Sequence, residues 1–303
     1  MRSWRRPPVR AERLQAILDA RTRRPRAIIE AAARRRRPSS LFNEHGRLLV
    51  IAADHPARGS LRVGSDPFAM ASRTELLDRI CLALSRPGVN GVLGTPDIIE
   101  DLLLLDALDG KVVIGSMNRG GLAGTAFEID DRFTAYDAEA LDAIGCEGGK
   151  MLLRIDPGDH ATAGTLEACA HAVNALARRR LLAVIEPFIC HRVQGKVRNE
   201  LTADAMIRAM TVAAGIGTTS AFTWLKVPFV EEMERVMAAT TLPALILGGD
   251  VTGDPDAAFT GWSKALTLPT VFGLVAGRAL LFPPDGDVAA AVDTAVGLLE
   301  QRR

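Results

Sequence analysis

Two lysines sit where lysines are costly. Lys226 lies inside the apolar, β-prone stretch 221–229 (Ala-Phe-Thr-Trp-Leu-Lys-Val-Pro-Phe), and Lys150 opens Lys-Met-Leu-Leu-Arg-Ile-Asp at 150–156. A buried ammonium must reach water, find a carboxylate or lose its proton. An amine that has lost its proton attacks carbonyl carbon, the entry to Schiff-base chemistry. A lysine at a strand end can also simply snorkel to solvent. Lysine is scarce here, however: Lys111, Lys150, Lys196, Lys226 and Lys264 stand against 32 arginines, so general surface charge is left to arginine. Two acids end apolar runs in the same manner, Asp54 after Leu48–Ala53 and Glu186 after Leu181–Ile185. Carboxylates so placed can pair with the lysines or move protons.

The elements that would position these groups follow from the hydropathy pattern. Short apolar runs at 47–54, 91–93, 111–115, 150–156, 181–186, 221–229, 243–249 and 271–278 read as eight strands. Helical periodicity or helix-start signals follow each of them, at 72–85, from Pro96, and at 138–144, 162–179, 202–214, 230–239, 255–266 and 288–300. Eight β/α units within ~250 residues predict an α/β fold, a (β/α)8 TIM barrel. No GxGxxG or GxxxxGK[ST] follows any strand, which argues against a doubly wound nucleotide-binding sheet.

In such a barrel the C-terminal strand ends form the active site. They collect Asp54, Arg119, Lys150 and Arg154, Glu186 and Lys226, with the period of two placing Lys150 and Arg154 on one face and Trp224 and Lys226 on another. A purely structural ion network is one reading of that set. Glycine-rich ends of the last two strands, Gly248-Gly249 and Gly277-Arg278, match the usual phosphate site of these barrels.

Residues 1–37 differ from the rest. They hold thirteen arginines against Glu12, Asp19 and Glu30, within a chain of net charge +1, so the body is mildly acidic. Residues 8–36 predict one or two amphipathic helices interrupted near Pro25 and lying outside the main body. The domain reading is therefore a basic helical arm, 1–46, and a barrel, 47–303. The arm reads as a solvated face or a homo-oligomer contact, with polyanion binding as the other reading. Nucleic acid is not the expected partner of the whole chain.

Cys81, Cys146, Cys169 and Cys190 form no CxxC pair, and the five histidines show no ligand spacing, so neither a metal nor a cofactor is expected. No run approaches a membrane span, and the N-terminus lacks an apolar signal region, which together predict a cytoplasmic protein.

Several of these stretches carry a resemblance. Ala52-Ala53-Asp54-His55, the run 150–156, Glu186 after its apolar strand, Leu-Lys-Val-Pro at 225–228, Gly248-Gly249 and Ala276-Gly277-Arg278 resemble the class I aldolase superfamily that includes deoxyribose-phosphate aldolase. Within it the chain looks most like the tagatose-bisphosphate aldolase branch, over roughly residues 47–290. The resemblance implies that Lys226 forms the imine and that Lys150 is the nearby strand-4 lysine, whose ammonium favours the free amine by repulsion. It implies that Glu186 shuttles protons and that Asp54 binds or deprotonates a sugar hydroxyl. Gly248, Gly249, Gly277, Arg278, Arg154 and Arg119 would bind substrate or its phosphate. Without the resemblance, the residues leave open which lysine carries the adduct.

The chain departs from that branch in places. Lys226-Val227-Pro228 is one residue shorter between lysine and proline, and the loop 116–134 and the segment 190–199 are unlike it. The only tyrosine, Tyr136, lies between strands 3 and 4, which excludes a subtype with a strand-5 tyrosine acid. The chain is also similar to an actinobacterial branch associated with myo-inositol breakdown. That similarity implies 2-deoxy-5-keto-gluconate 6-phosphate as substrate, its carboxylate held by Arg119, Arg154 or Arg192. Tagatose- or fructose-bisphosphate and deoxyribose-phosphate aldolases are alternatives, as is a barrel that binds sugar phosphates without turnover.

Overall fold

The computed structural model describes residues 11–249 and 255–300 of the 303. Residues 1–10 of the arm and 301–303 at the end of the barrel lie outside the described residues.

Among the described residues nine strands form: β1 (Leu48–Ala52), β2 (Gly91–Gly94), β3 (Val112–Ser116), β4 (Gly148–Ile155), β5 (Leu182–Val193), β6 (Lys196–Asn199), β7 (Thr223–Val227), β8 (Ala244–Leu247) and β9 (Val271–Ala276). Eight of them pair in parallel in the order β1-β2-β3-β4-β5-β7-β8-β9, and β9 returns to β1, so the sheet closes into a barrel. Helices between the strands cover its outside, completing the (β/α)8 architecture expected from the sequence. Burial on both faces explains why the strands read as continuous apolar runs: Leu48, Leu49, Val50 and Ile51 are all fully buried.

Two separate cores result. One lies between sheet and helices. The other fills the barrel interior, where Val50, Leu93, Ile114, Val184 and Leu245 meet and Phe42 stacks on Trp224 with ring centroids 5.7 Å apart. This apolar plug seals the N-terminal end. Two residues further along β7, on the same face, Lys226 points into the opposite end. Alternation puts Trp224 and Lys226 on the same inward face, and their positions along β7 separate an apolar floor from a polar ceiling.

Local signals set several helix starts. Ser72, Asp137 and Thr202 each accept a hydrogen bond from the backbone N–H three residues on, starting the helices Arg73–Leu84, Ala138–Ala143 and Ala203–Ala214. The helix expected over 230–239 is shorter, Met233–Met237, because Glu232 at its start takes a left-handed backbone with φ +61°.

The arm forms helices Ala11–Arg23 and Arg26–Arg34, broken at Pro25 as the sequence suggests. Contrary to the expectation that they lie outside the main body, both pack against the barrel helix Pro96–Leu104, with Ile17, Ala20 and Ala31 buried by that contact and its surroundings. Arg21 pairs with Asp101 at 2.7 Å, and the buried Arg35 guanidinium lies 2.9 Å from Glu147. Among the described residues no helix is long and apolar enough to cross a membrane.

Fifth-strand geometry departs from expectation. β5 runs on past Glu186 to Val193 and folds back as β6, an antiparallel hairpin standing over the barrel mouth. The segment 190–199 is that hairpin.

Candidate active site

Strands β4, β5 and β7 and the residue beyond β1 place Lys150, Glu186, Lys226 and Asp54 in one connected array inside the barrel, with Lys150 and Glu186 within their strands rather than at the ends. All four are at least nine-tenths buried. Lys226 Nζ donates to Glu186 Oε1, and Glu186 Oε2 pairs with Lys150 Nζ. Lys150 Nζ also lies 3.3 Å from Asp54 Oδ2, which accepts from Ser116 Oγ at 3.0 Å and faces Arg119 Nη1 at 3.1 Å. Charge therefore alternates along the chain Lys226, Glu186, Lys150, Asp54, Arg119. Each buried ion has an opposite neighbour, the condition under which such groups are tolerated.

Burial and these neighbours set the proton affinities. Burial opposes ionisation of Asp54, but Lys150 and Arg119 outweigh it and hold the carboxyl well below the usual range. Glu186 behaves alike: burial raises its pKa, while Lys150 and Lys226 together drive it far lower. Burial, reinforced by Arg119, brings Lys150 down to about 8, against the pull of Asp54 and Glu186. Lys150 is therefore an ammonium that can lose its proton near neutrality. His55, half-buried beside Asp54, is lowered by desolvation and by repulsion from Arg278 and Lys226 to about 3 and is a neutral imidazole.

This array faces a cavity of about 420 Å³ at the C-terminal end of the barrel. The size suits a small metabolite. Its lining includes ten of the residues singled out in the sequence, Asp54, Arg119, Lys150, Arg154, Glu186, Lys226, Gly248, Gly249, Gly277 and Arg278, but not Arg192. Seven lining side chains are arginine or lysine and three are acidic, so the cavity favours anions.

The glycine positions have a steric cause. A Cβ on Gly277 would lie 2.4 Å from the Ala52 carbonyl oxygen, so only glycine lets β9 approach β1 there. Gly249 takes φ +70°, the left-handed region. A short helix, Arg278–Leu281, begins directly after Gly277.

Arg154 is arranged differently from a free substrate ligand. Its Nε and Nη2 donate to Asp131 at 2.8 and 2.6 Å, and Nη2 also donates to the carbonyls of Glu128 and Gly121. It thereby ties the loop 116–134 to β4. Arg192 lies on the hairpin and reaches Ala126 O and Asp159 outside the cavity lining.

Sequence reading passed over several lining residues. His55 and Arg58 follow Asp54, and Val197, Arg198 and Asn199 come from β6. Their position after a strand end was the available signal for the first two. For the hairpin the signal was the departure of 190–199 from the resembled branch, which marked the segment without revealing its strand pairing. Tyr136 is buried on the outer side of the sheet, where it crowds Gly115.

The (β/α)8 fold is one the chain shares with solved aldolase barrels. The chain superposes on a Schiff-base-forming fructose-1,6-bisphosphate aldolase with a TM-score of 0.62, covering 90% of this chain and 99% of that one at 19% identity. A fructose-bisphosphate aldolase from Slackia heliotrinireducens gives a TM-score of 0.60 at 17% identity, covering 96% and 92%. At those identities the likeness is one of fold. The chain itself belongs to the Cgl0159-like family, whose model matches residues 46–296. A crystal structure of Cgl0159 from Corynebacterium glutamicum is 53% identical, with a TM-score of 0.94 over 97% of this chain and 99% of that one. No curated protein matches the chain.

Proposed function

We propose that the protein is a class I aldolase that cleaves a phosphorylated keto sugar or keto acid through a Schiff base on Lys226. The observation that carries this reading is the single carboxylate of Glu186 in contact with two buried lysines at the edge of an anion-favouring cavity.

The chemistry follows from the contacts. Lys226, as the free amine, attacks the substrate ketone, and Glu186 relays the proton from its nitrogen to the oxygen as the carbinolamine forms. Lys150, with its pKa near 8, donates the proton with which the carbinolamine hydroxyl leaves as water. The resulting iminium accepts the electron pair of the breaking C–C bond as Asp54 takes the proton of the β-hydroxyl and the aldehyde departs. Protonation of the enamine and hydrolysis of the imine release the ketone and restore Lys226. Phosphate binding is assigned to Gly248, Gly249, Gly277 and Arg278, where glycine backbone and a short helix follow the last two strands of the ring. The first substrate to test is 2-deoxy-5-keto-gluconate 6-phosphate, cleaved to dihydroxyacetone phosphate and malonic semialdehyde in the cytoplasm.

Borohydride trapping with dihydroxyacetone phosphate, followed by peptide mass spectrometry, tests the mechanism. A reduced adduct on the Lys226 peptide, absent in Lys226→Met, is expected. An adduct on Lys150 would exchange the two lysine roles. Absence of any adduct with triose or hexose phosphates would sink the aldolase reading and favour a barrel that binds sugar phosphates without turnover.

A further inference from the structure

One neutral side chain at the cavity has no role in the mechanism above. His55 comes directly after Asp54 and lines the cavity, with 23% of its side chain exposed. Its Nδ1 is shielded and lies 3.9 Å from Asp54 Oδ1, beyond hydrogen-bond reach. Its Nε2 has no hydrogen-bond partner among the described residues and, unlike Nδ1, is not shielded. The acids lining the cavity are all held by cations: Asp54 by Lys150 and Arg119, Glu186 by two lysines, Glu128 by Arg154 at 3.3 Å and Arg58 at 3.5 Å. Half-buried polar atoms in a folded protein normally find a partner, and for this one the cavity is where it would come from.

The imidazole is in place before anything binds. The His55 carbonyl accepts from the N–H groups of Arg58 and Ser60 at 3.1 and 3.3 Å, across the short helix Pro56–Arg58. On its other side the ring packs on Gly277, where a Cβ would lie 3.1 Å from His55 Cε1. The ring thus stands between Asp54, which belongs to the lysine–carboxylate array, and Gly277, which belongs to the phosphate cradle. An ionised Asp54 favours the tautomer with its hydrogen on Nδ1, since a lone pair there would face the carboxylate. Nε2 then carries the lone pair. It can accept from a hydroxyl and has no hydrogen to give a phosphate oxygen.

We infer that His55 sets specificity by accepting, at Nε2, a hydrogen bond from a hydroxyl that the substrate carries on the carbon beside its ketone. The ketone must reach Lys226 while the phosphate lies on the glycine cradle, so the atoms beside the ketone are those that pass a ring standing between the two. The β-hydroxyl is left to Asp54. The substrate class is narrowed to keto phosphates hydroxylated next to the carbonyl, and ketones with a bare methyl or methylene there are disfavoured. A neutral imidazole suits this contact, because it adds no charge beside Arg278 and Lys226.

This inference rests on the cavity being the substrate site of the proposed aldolase, and its test separates the two. Calorimetry on the full-length protein would compare dihydroxyacetone phosphate with hydroxyacetone phosphate, which differs only in lacking that hydroxyl. The unmodified protein should bind the hydroxylated ketone about two- to tenfold more tightly, the worth of one hydrogen bond. His55→Ala should abolish the preference and leave the affinity for hydroxyacetone phosphate within about twofold. Comparing the ratio of affinities between proteins cancels any intrinsic difference between the two ketones. His55→Gln, whose amide oxygen can stand in for Nε2, should keep part of the preference, and His55→Asn, which reaches only as far as Nδ1, should not. A preference that survives His55→Ala would overturn the inference. So would an equal loss for both ligands that His55→Gln does not restore, which would leave His55 a packing or phosphate contact. Binding of neither ketone would overturn it together with the aldolase reading. A borohydride-trapped Lys226 adduct without a His55-dependent preference removes this inference alone. A His55-dependent preference without any adduct leaves it standing and removes the aldolase reading.

Discussion

Replacing Glu186 by glutamine keeps the side-chain shape and removes the one carboxylate that touches both Lys150 and Lys226. Breaking a buried ion pair by neutralising one partner costs about 3–5 kcal/mol, because the other charge is left without compensation. Glutamine still offers one acceptor oxygen, so the lower end, about 3 kcal/mol, applies at pH 6, where Lys150 carries its proton. At roughly 2–3 °C per kcal/mol for a chain of this size, Tm should fall by about 6–9 °C. The pH dependence has a definite sign. Because the pKa of Glu186 is depressed in the folded state, its contribution is present above the unfolded carboxylate range and is lost only as pH falls through the folded value. Lys150 titrates near 8, so by pH 9 its charge has largely gone and the difference between the two proteins should narrow. Scanning fluorimetry at pH 6 and pH 9 measures both values. Adding Lys150→Met to Glu186→Gln should recover part of the loss, since an apolar side chain needs no partner. A fall below about 2 °C at pH 6, or the same fall at both pH values, would refute the claim that this carboxylate neutralises the buried lysines.

Two further predictions concern catalysis and phosphate binding. With the Lys150 ammonium as proton donor, kcat/KM should decline above about pH 8, and Lys150→Arg should move that limb upward because guanidinium does not titrate there. A pH–rate profile by coupled triose-phosphate assay checks it, and an unmoved limb assigns the titration to another group. Gly277→Ala would set a Cβ 2.4 Å from the Ala52 carbonyl, backbone against backbone, with no side chain able to swing aside. Urea denaturation should show a loss of about 1–3 kcal/mol, and sorbitol 6-phosphate binding should weaken; unchanged values for both would show that the strand approach is not needed.

The fold was legible because each barrel strand leaves a local trace. Buried on both faces, the strands read as unbroken apolar runs, and caps such as Ser72 and Thr202 marked helix starts. Glu186 and Lys226 stood out for the same reason, a charge ending or interrupting an apolar run. The hairpin β5–β6 was not legible, since its residues past Cys190 are largely exposed and carry no hydrophobic period. The short helix at Met233–Met237 was over-read because apolar spacing does not reveal a left-handed residue at its start.

The sequence by itself determined that Lys150, Lys226, Glu186 and Asp54 lie in or directly after apolar strands, because apolar runs are local properties, although β4 and β5 continue past Lys150 and Glu186 rather than ending there. Only the tertiary structure decided who touches whom. Asp54 meets Lys150 across 96 residues of chain and Glu186 meets Lys226 across 40, and those contacts exist because eight strands close into a ring. Closure also sorted the arginines: Arg154 and Arg119 look alike as strand-end cations. In the folded protein Arg154 is paired with the carboxylate of Asp131, while Arg119 reaches across to Asp54. Pairing within a closed barrel depends on which side chains the ring brings within hydrogen-bond reach, and that information resides in no single stretch of the sequence.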